Sequence, residues 1–319
     1  MYSESSAEAS DRRIRGLRPP KAYVDPFKAH GSLLEEERRP DGAMEQALTV
    51  FLAGAECPFT CSFCDLWKWT VDGATPPGAL TTQLERVLEA HAGPAPDRIK
   101  LYNASNFFDR RAVPPEDLAG MVRLTSPFGS VTVESHANTI GSRTLAFARQ
   151  LSGRLEVAMG LETIHPAAVA QLNKRLDLPR FDRAAAFLAA SDIDLRVFVL
   201  LGAPFVSASE VVSSTVSTVE YAVERGASVV SVIPVRGGNG EMERLLAAGH
   251  FDPPSLTQLD LVLDGCVQFT DAVVTADLWD IEQLPACEYC RAARIERLRR
   301  LNTSGHAEPR IACDACSTR

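Results

Sequence analysis

The sequence predicts an α/β chain folded as an open, TIM-like (β/α)6 barrel. Three observations lead there. From residue 47 onward, short apolar runs alternate with longer amphipathic stretches, six times over about 190 residues. Several of those runs read as apolar on both faces, as strands of a parallel sheet covered by helices must be. No glycine-rich dinucleotide fingerprint follows the first strand, which counts against a flat doubly wound sheet. The barrel is expected over residues 46–240. An N-terminal extension (1–45) precedes it, and a helical extension (241–319) with paired cysteines follows.

Each element has its own signal. The strands are expected at 48–53, 99–102, 131–133, 155–159, 195–201 and 229–235. Helix-like periodicity fills the intervals at 81–92, 115–124, 142–151, 181–190 and 209–224. Beyond Gly240 the alternation fades, Asp252-Pro253-Pro254 breaks the chain, and helices are expected at 255–269 and 291–301. Residues 1–45 are mixed in charge, with Arg12, Arg13, Arg15, Arg18 and Lys21 near the start, and read as a solvated tail.

Composition narrows the class. The chain has 319 residues, 45% hydrophobic and 23% charged, which suits an ordinary globular protein with a large core. A net charge of −8 argues against wholesale polyanion binding, though not against local basic patches. Residues 1–11 are polar and acidic, without the apolar stretch of a signal peptide, and the longest apolar run (197–205) is half a membrane span. A soluble, cytoplasmic protein without membrane contact is expected. In a reducing compartment, eight cysteines in two groups read as metal ligands rather than disulfides.

The first group is Cys57-x-x-x-Cys61-x-x-Cys64, just after the first expected strand. Eight cysteines placed at random would give this spacing roughly 0.005 times. Three thiolates hold three irons of a 4Fe–4S cube and leave the fourth iron open to an outside ligand. A structural zinc site would need a fourth ligand from elsewhere, for which Cys266 is a candidate. In barrels of this kind chemistry gathers at the C-terminal ends of the strands, where this loop stands. Phe63, before the third cysteine, can shield a cluster.

The run from Glu56 to Asp65 resembles the signature of the radical S-adenosylmethionine (radical SAM) superfamily, and the resemblance extends over residues 47–236. It implies a cluster whose open iron chelates the methionine moiety of S-adenosylmethionine, reductive release of a 5′-deoxyadenosyl radical, and hydrogen abstraction from a substrate. It also implies an electron donor such as a flavodoxin or ferredoxin. After the second strand the superfamily carries a Gly-Gly-Glu-like turn for the methionine amino group. This chain has Asn103-Ala104-Ser105-Asn106, with side-chain oxygens in place of the carboxylate. Glu134 ends the third strand as a further cofactor contact, and Glu162, after the fourth, is the candidate for the ribose hydroxyls. His136 reads as structural rather than as a proton carrier. Lys68, His136 and Arg236 lie where they can face the mouth. Asn106-Phe107-Phe108-Asp109, Glu134-Ser135, Gly160-Leu161-Glu162-Thr163 and Asn173-Lys174 look like the branch holding the radical subunit of archaeosine synthase and the elongator-type catalytic subunit. That likeness suggests a nucleoside substrate of the tRNA type.

The second group pairs Cys287-x-x-Cys290 with Cys313-x-x-Cys316, a strong metal signal. Four ligands close a tetrahedron and favour structural zinc, with an auxiliary iron–sulfur cluster as the alternative. Arg291, Arg294, Arg297, Arg299 and Arg300 between the knuckles can contact phosphates, as a tRNA reader needs, or lie on a solvated helix face. Two other functions fit the sequence. One is a radical SAM enzyme for a small metabolite or peptide, the tail merely closing the barrel. The other is a non-catalytic nucleic-acid-binding protein with zinc at both cysteine groups.

Overall fold

A computed structural model describes residues 6–91, 93–94 and 96–317. Its centre is one eight-stranded sheet in sequential order. The strands are β1 (Gly31–Arg38), β2 (Met44–Phe51), β3 (Arg98–Tyr102), β4 (Ser130–Glu134), β5 (Arg154–Glu162), β6 (Asp194–Leu201), β7 (Ala227–Pro234) and β8 (Val273–Ala276). β1 is antiparallel to β2, and all later neighbours are parallel. β2 to β7 are the six expected strands. The helices are α1 (Ser6–Leu17), α2 (Ala79–Ala90), α3 (Pro115–Thr125), α4 (Ser142–Ala148), α5 (Pro166–Gln171), α6 (Leu178–Ala190), α7 (Val211–Glu224), α8 (Glu241–Ala247), α9 (Leu256–Cys266), α10 (Arg291–Ser304) and α11 (Asp314–Ser317). Ala92, the expected end of α2, lies outside the described residues.

Two parts of the chain differ from expectation. The N-terminal extension is not a solvated tail: it folds into α1 and the edge strand β1, and Ile14 is buried. The strands are also not apolar on both faces. Their outward residues, such as Ile99, Leu101, Val131, Val133, Val157, Val197 and Val199, form the core with the covering helices. The alternate residues point into the concave side, where Arg98, Lys100, Thr132, Glu156 and Arg196 are buried.

Those inward side chains report the curl of the sheet. Arg196 of β6 reaches Glu37 of β1 at 2.9 Å, although four strands lie between them in the sheet. Lys100 joins the same Glu37 at 2.5 Å, and Arg98 links Glu45 at 2.6 Å to Glu156 at 3.1 Å. Higher in the barrel, Tyr102 of β3 meets Phe198 of β6 edge-on at 6.3 Å, and Phe51 meets Trp279 at 6.2 Å. The concave side is filled by ion pairs toward the N-terminal ends of the strands and by aromatics toward the C-terminal ends. Burying charges is tolerable here because each has partners of opposite sign.

Local signals place the helices. Asp117, fully buried near the start of α3, accepts from the backbone N–H groups of Gly78 and Thr81 at 2.9 and 2.8 Å and so caps α2. Asp177 caps α6, and Ser255 with Gln258 forms a reciprocal box at the start of α9. No described helix is long and apolar enough to cross a membrane.

Candidate metal and cofactor site at the barrel mouth

The loop leaving β2 is tied at both ends before it reaches the cysteines. Gln83 holds Ala53 through both its N–H (2.8 Å) and its carbonyl (3.0 Å). Val71 N–H returns to the carbonyl of Gly54 at 2.9 Å. A side chain at Gly54 would come within 3.1 Å of the Ala112 carbonyl, so the closure favours glycine there. Between these ties Cys57, Cys61 and Cys64 are half-buried. Asn239, past β7, donates to the carbonyls of Ser62 (2.8 Å) and Cys64 (3.2 Å). Asn173 donates to the Thr60 carbonyl at 2.8 Å, and Asp11 of α1 accepts from Thr60, Asn173 and Arg175. Asn239 and Asp11 carried no sequence signal: one lies in a glycine-rich turn, the other in a segment read as tail.

The electrostatics suit a bound cation centre. Burial pushes all three thiols up, Cys64 to about 12, so these sulfurs become ligands only when a metal displaces their protons. The charge of Lys174 favours the thiolate form at each of them. Asn106 donates Nδ2 to Cys57 Sγ at 3.3 Å while its Oδ1 accepts from His136 N–H at 2.8 Å, which fixes the amide. Cys266 stands apart, buried in the core at the C-terminal end of α9.

The sequence-predicted cofactor residues converge on the same mouth in different states. Asn103 is fully buried, yet neither atom of its amide has a partner, and the same holds for Ser105 Oγ. Orphaned buried polar atoms at one strand end fit a polar ligand supplied from outside. Glu134 is already engaged: it accepts from the backbone N–H of Asn103 at 3.0 Å and from Ala104 and Ser105. Burial still pushes its pKa up to about 7. It shapes the loop at Ala104, whose φ is +53°. Glu162, also left-handed at φ +70°, pairs with Lys174 at 2.5 Å. A side chain at Gly160 would overlap that pair.

Phe63 packs against Leu200, Ala203, Val235 and Met242, with Lys174 Nζ 5.9 Å from its ring centre. His136 accepts from Asn138 N–H at Nδ1 (3.1 Å), so Nε2 carries the proton and donates to the Lys174 carbonyl (2.9 Å). Burial depresses its pKa to about 3, with Lys174 adding to the effect, and Phe59 stacks on it. These bonds and its burial hold His136 in the neutral form. Lys68 bonds the Gly238 carbonyl at 2.7 Å, and Arg236 bonds Asp277 at 3.1 Å and the Trp279 carbonyl.

Comparison with known proteins fits this geometry. The chain is similar to a spore photoproduct lyase, with TM-score 0.50 and 11% identity over 70% of this chain and 75% of that one. The fold is that of the radical SAM enzymes. A Methanocaldococcus infernus Elp3 of the same barrel type aligns at TM-score 0.49 and 14% identity, over 64% of this chain and 52% of its own. An uncharacterised Methanocaldococcus jannaschii protein is 23% identical over 171 residues, 52% of this chain. The chain spans about half the length of each of these two archaeal proteins. No family model matches the sequence. The three thiols fit a 4Fe–4S cluster with one open iron, and the unpartnered atoms of Asn103 and Ser105 beside them fit a polar ligand to it.

At the far end, Cys287, Cys290, Cys313 and Cys316 form a group that can hold a metal. Some of the arginines between them are engaged inside the fold, while Arg299 and Arg300 stand exposed on the helix surface. Arg294 pairs with Asp260, Arg297 with Asp260 and Asp264, and Arg300 with Glu308. Arg291 donates to the carbonyls of Glu282 and Leu284. Arg294 and Arg297 are buried and serve internal packing, whereas Arg299 and Arg300 form an exposed basic face.

Proposed function

We propose that the protein is a radical SAM enzyme that modifies a nucleoside of the tRNA type. The observation that carries the first half is the cysteine trio on the β2 loop, beside the unpartnered atoms of Asn103 and Ser105. Cys57, Cys61 and Cys64 hold the cluster, and Asn106 orients Cys57. Asn103 and Ser105 receive the amino and carboxylate groups of S-adenosylmethionine, on a loop whose shape Glu134 maintains. Glu162, steered by Lys174, faces the ribose hydroxyls, and Phe63 keeps water from the cluster. A cluster held there would supply one-electron reduction of the sulfonium, with a flavodoxin- or ferredoxin-class protein as electron source, and so release methionine and a 5′-deoxyadenosyl radical.

The aromatic lining supports the nucleoside half. Phe51 and Tyr102 end β2 and β3, Phe198 lies within β6 facing Tyr102, and the exposed Trp279 follows β8 against Phe51. Flat faces suit base stacking. The similar spore photoproduct lyase is described with a dinucleoside ligand, a related chemical class.

Anaerobic reconstitution tests the first half. The wild type should develop absorbance near about 400 nm that dithionite bleaches, and then release 5′-deoxyadenosine from S-adenosylmethionine. Cys61→Ala should do neither, and an iron-free wild type overturns the assignment. Nucleoside mass spectrometry of RNA from strains with and without the gene tests the second half, and identical profiles would remove it.

A further inference from the structure

The four C-terminal sulfurs are gathered on the scale of a single ion. Cys287 Sγ lies 3.9 Å from Cys313 Sγ, Cys290 Sγ lies 3.7 Å from Cys316 Sγ, and all four are within 4.8 Å of one another. Thiolates at about 2.3 Å from a tetrahedral zinc stand about 3.8 Å apart. The thiolates of a cubane bind different irons and stand farther apart, about 6 Å. Among the described residues this is the one group of metal-ligand side chains whose donor atoms converge in this way.

We propose that these cysteines bind one zinc ion as a closed tetrathiolate, and that this ion pins α10 across the open seam of the barrel. The proposal rests on the tail's own geometry and stands apart from the activity proposed above. Zinc with four thiolates carries a net charge of −2, which a buried site must offset. Arg294, itself buried, supplies the opposite charge: its Nε donates to Cys290 Sγ at 3.2 Å. Its Nη1 is fixed by Asp260 of α9 at 2.5 Å, so the guanidinium is a positioning group for the metal ligands. Arg297 also binds Asp260 and donates to the carbonyls of Glu308 (2.7 Å) and Pro309 (3.0 Å), which lead into the second knuckle.

The seam explains why a clamp is needed. β1 and β8 are the two edges of the sheet, and α10 lies against both. Asn302 on α10 takes the N–H of Ala276 at 2.8 Å and donates to its carbonyl at 2.9 Å, covering the open edge of β8. On the other side α10 ends at Gly305, left-handed at φ +65°, where any side chain would strike the guanidinium of Arg38 on β1. The ion joins the segments before and after α10 into one closed loop, and Arg294 links that loop to Asp260 of α9, so the packed position of α10 against both edges depends on the ion.

Metal analysis of full-length, oxygen-protected protein should find about one zinc per chain in addition to any iron. Protein made in cobalt-supplemented, zinc-depleted medium should show strong bands between about 600 and 750 nm, the signature of a tetrahedral cobalt tetrathiolate. Cys313→Ser should lose the zinc, keep its iron, and speed hydrogen exchange in α10 and β8 while β4 and β5 stay protected. Arg294→Gln should release zinc to a chelator several-fold faster, with Arg294→Lys recovering part of the difference. Loss of about four irons in Cys313→Ser, or zinc retained there, overturns the single-ion site. Unchanged release from Arg294→Gln overturns the role of Arg294. A wild type with zinc but no iron would sink the radical reading and leave this one intact.

Discussion

Glu162 and Lys174 form a buried ion pair that each residue needs for a different reason. Glu162 sits in a left-handed bulge at the end of β5, and Lys174 carries the positive charge nearest the three thiols. Removing one partner leaves the other charged and uncompensated. Glu162→Gln should therefore lower unfolding free energy by about 3 kcal/mol, and Glu162→Gln with Lys174→Met should recover most of it. Urea unfolding of the pair of variants checks this, and equal losses in both would count against the coupling. Glu134 makes a different prediction. Its folded pKa, about 7, lies above the ordinary 4.5, so between those values the folded chain holds a proton that the unfolded chain has lost. Its contribution to stability is fully present below about pH 4.5 and falls as pH rises to about 7. Glu134→Gln should flatten that slope, and a wild-type profile retained in the variant would show that another group sets it.

At the level of elements, α1 shows what a short amphipathic segment can do once it is packed. Asp11 gathers Thr60, Asn173 and Arg175, and Arg18 binds Glu56 at 2.7 Å and stacks over Trp67, so the middle of α1 and the residue just after it hold the cysteine loop. Asp11→Ala should leave the iron content of anaerobic protein unchanged but let air bleach the absorbance near about 400 nm several-fold faster. Equal bleaching rates would show that α1 does not shelter the loop. β2 to β7 and the cysteine loop were legible because their outward apolar residues recur with a strand's period and the thiols have a fixed spacing. α1 was not, because its polar partners are single contacts 38 to 228 residues away. β1 was hidden because its inward residues are Glu35 and Glu37 and its Leu33 and Leu34 stay exposed, the reverse of a strand's usual pattern. β8 has only four residues. The arginines of α10 read as a basic face, since no local pattern shows that Asp260 and Asp264 on another helix await them.

Across the whole molecule, β1 works as a strut inside the curled sheet. Glu37 joins Lys100 of β3 and Arg196 of β6, so one carboxylate links three strands that are not neighbours. Burial alone would raise its pKa, but Arg196 and Lys100 outweigh that and hold it at about 2. With an ordinary value of 4.5, this group contributes stability that is fully present above pH 4.5 and is lost as pH falls toward 2. The shift corresponds to at most about 3 kcal/mol. Glu37→Gln leaves Lys100 with Glu35 and Arg196 with Glu156, so the barrel should still close, but with weaker cross-lumen bracing. Urea unfolding should then show a stability gap between wild type and Glu37→Gln that is constant from pH 8 to about pH 5 and narrows steadily below pH 4.5. A gap that stays the same at about pH 3 would mean that Glu37 acts through packing, and the strut would have to be sought in Glu156, a carboxylate on the concave side shared between Arg98 and Arg196.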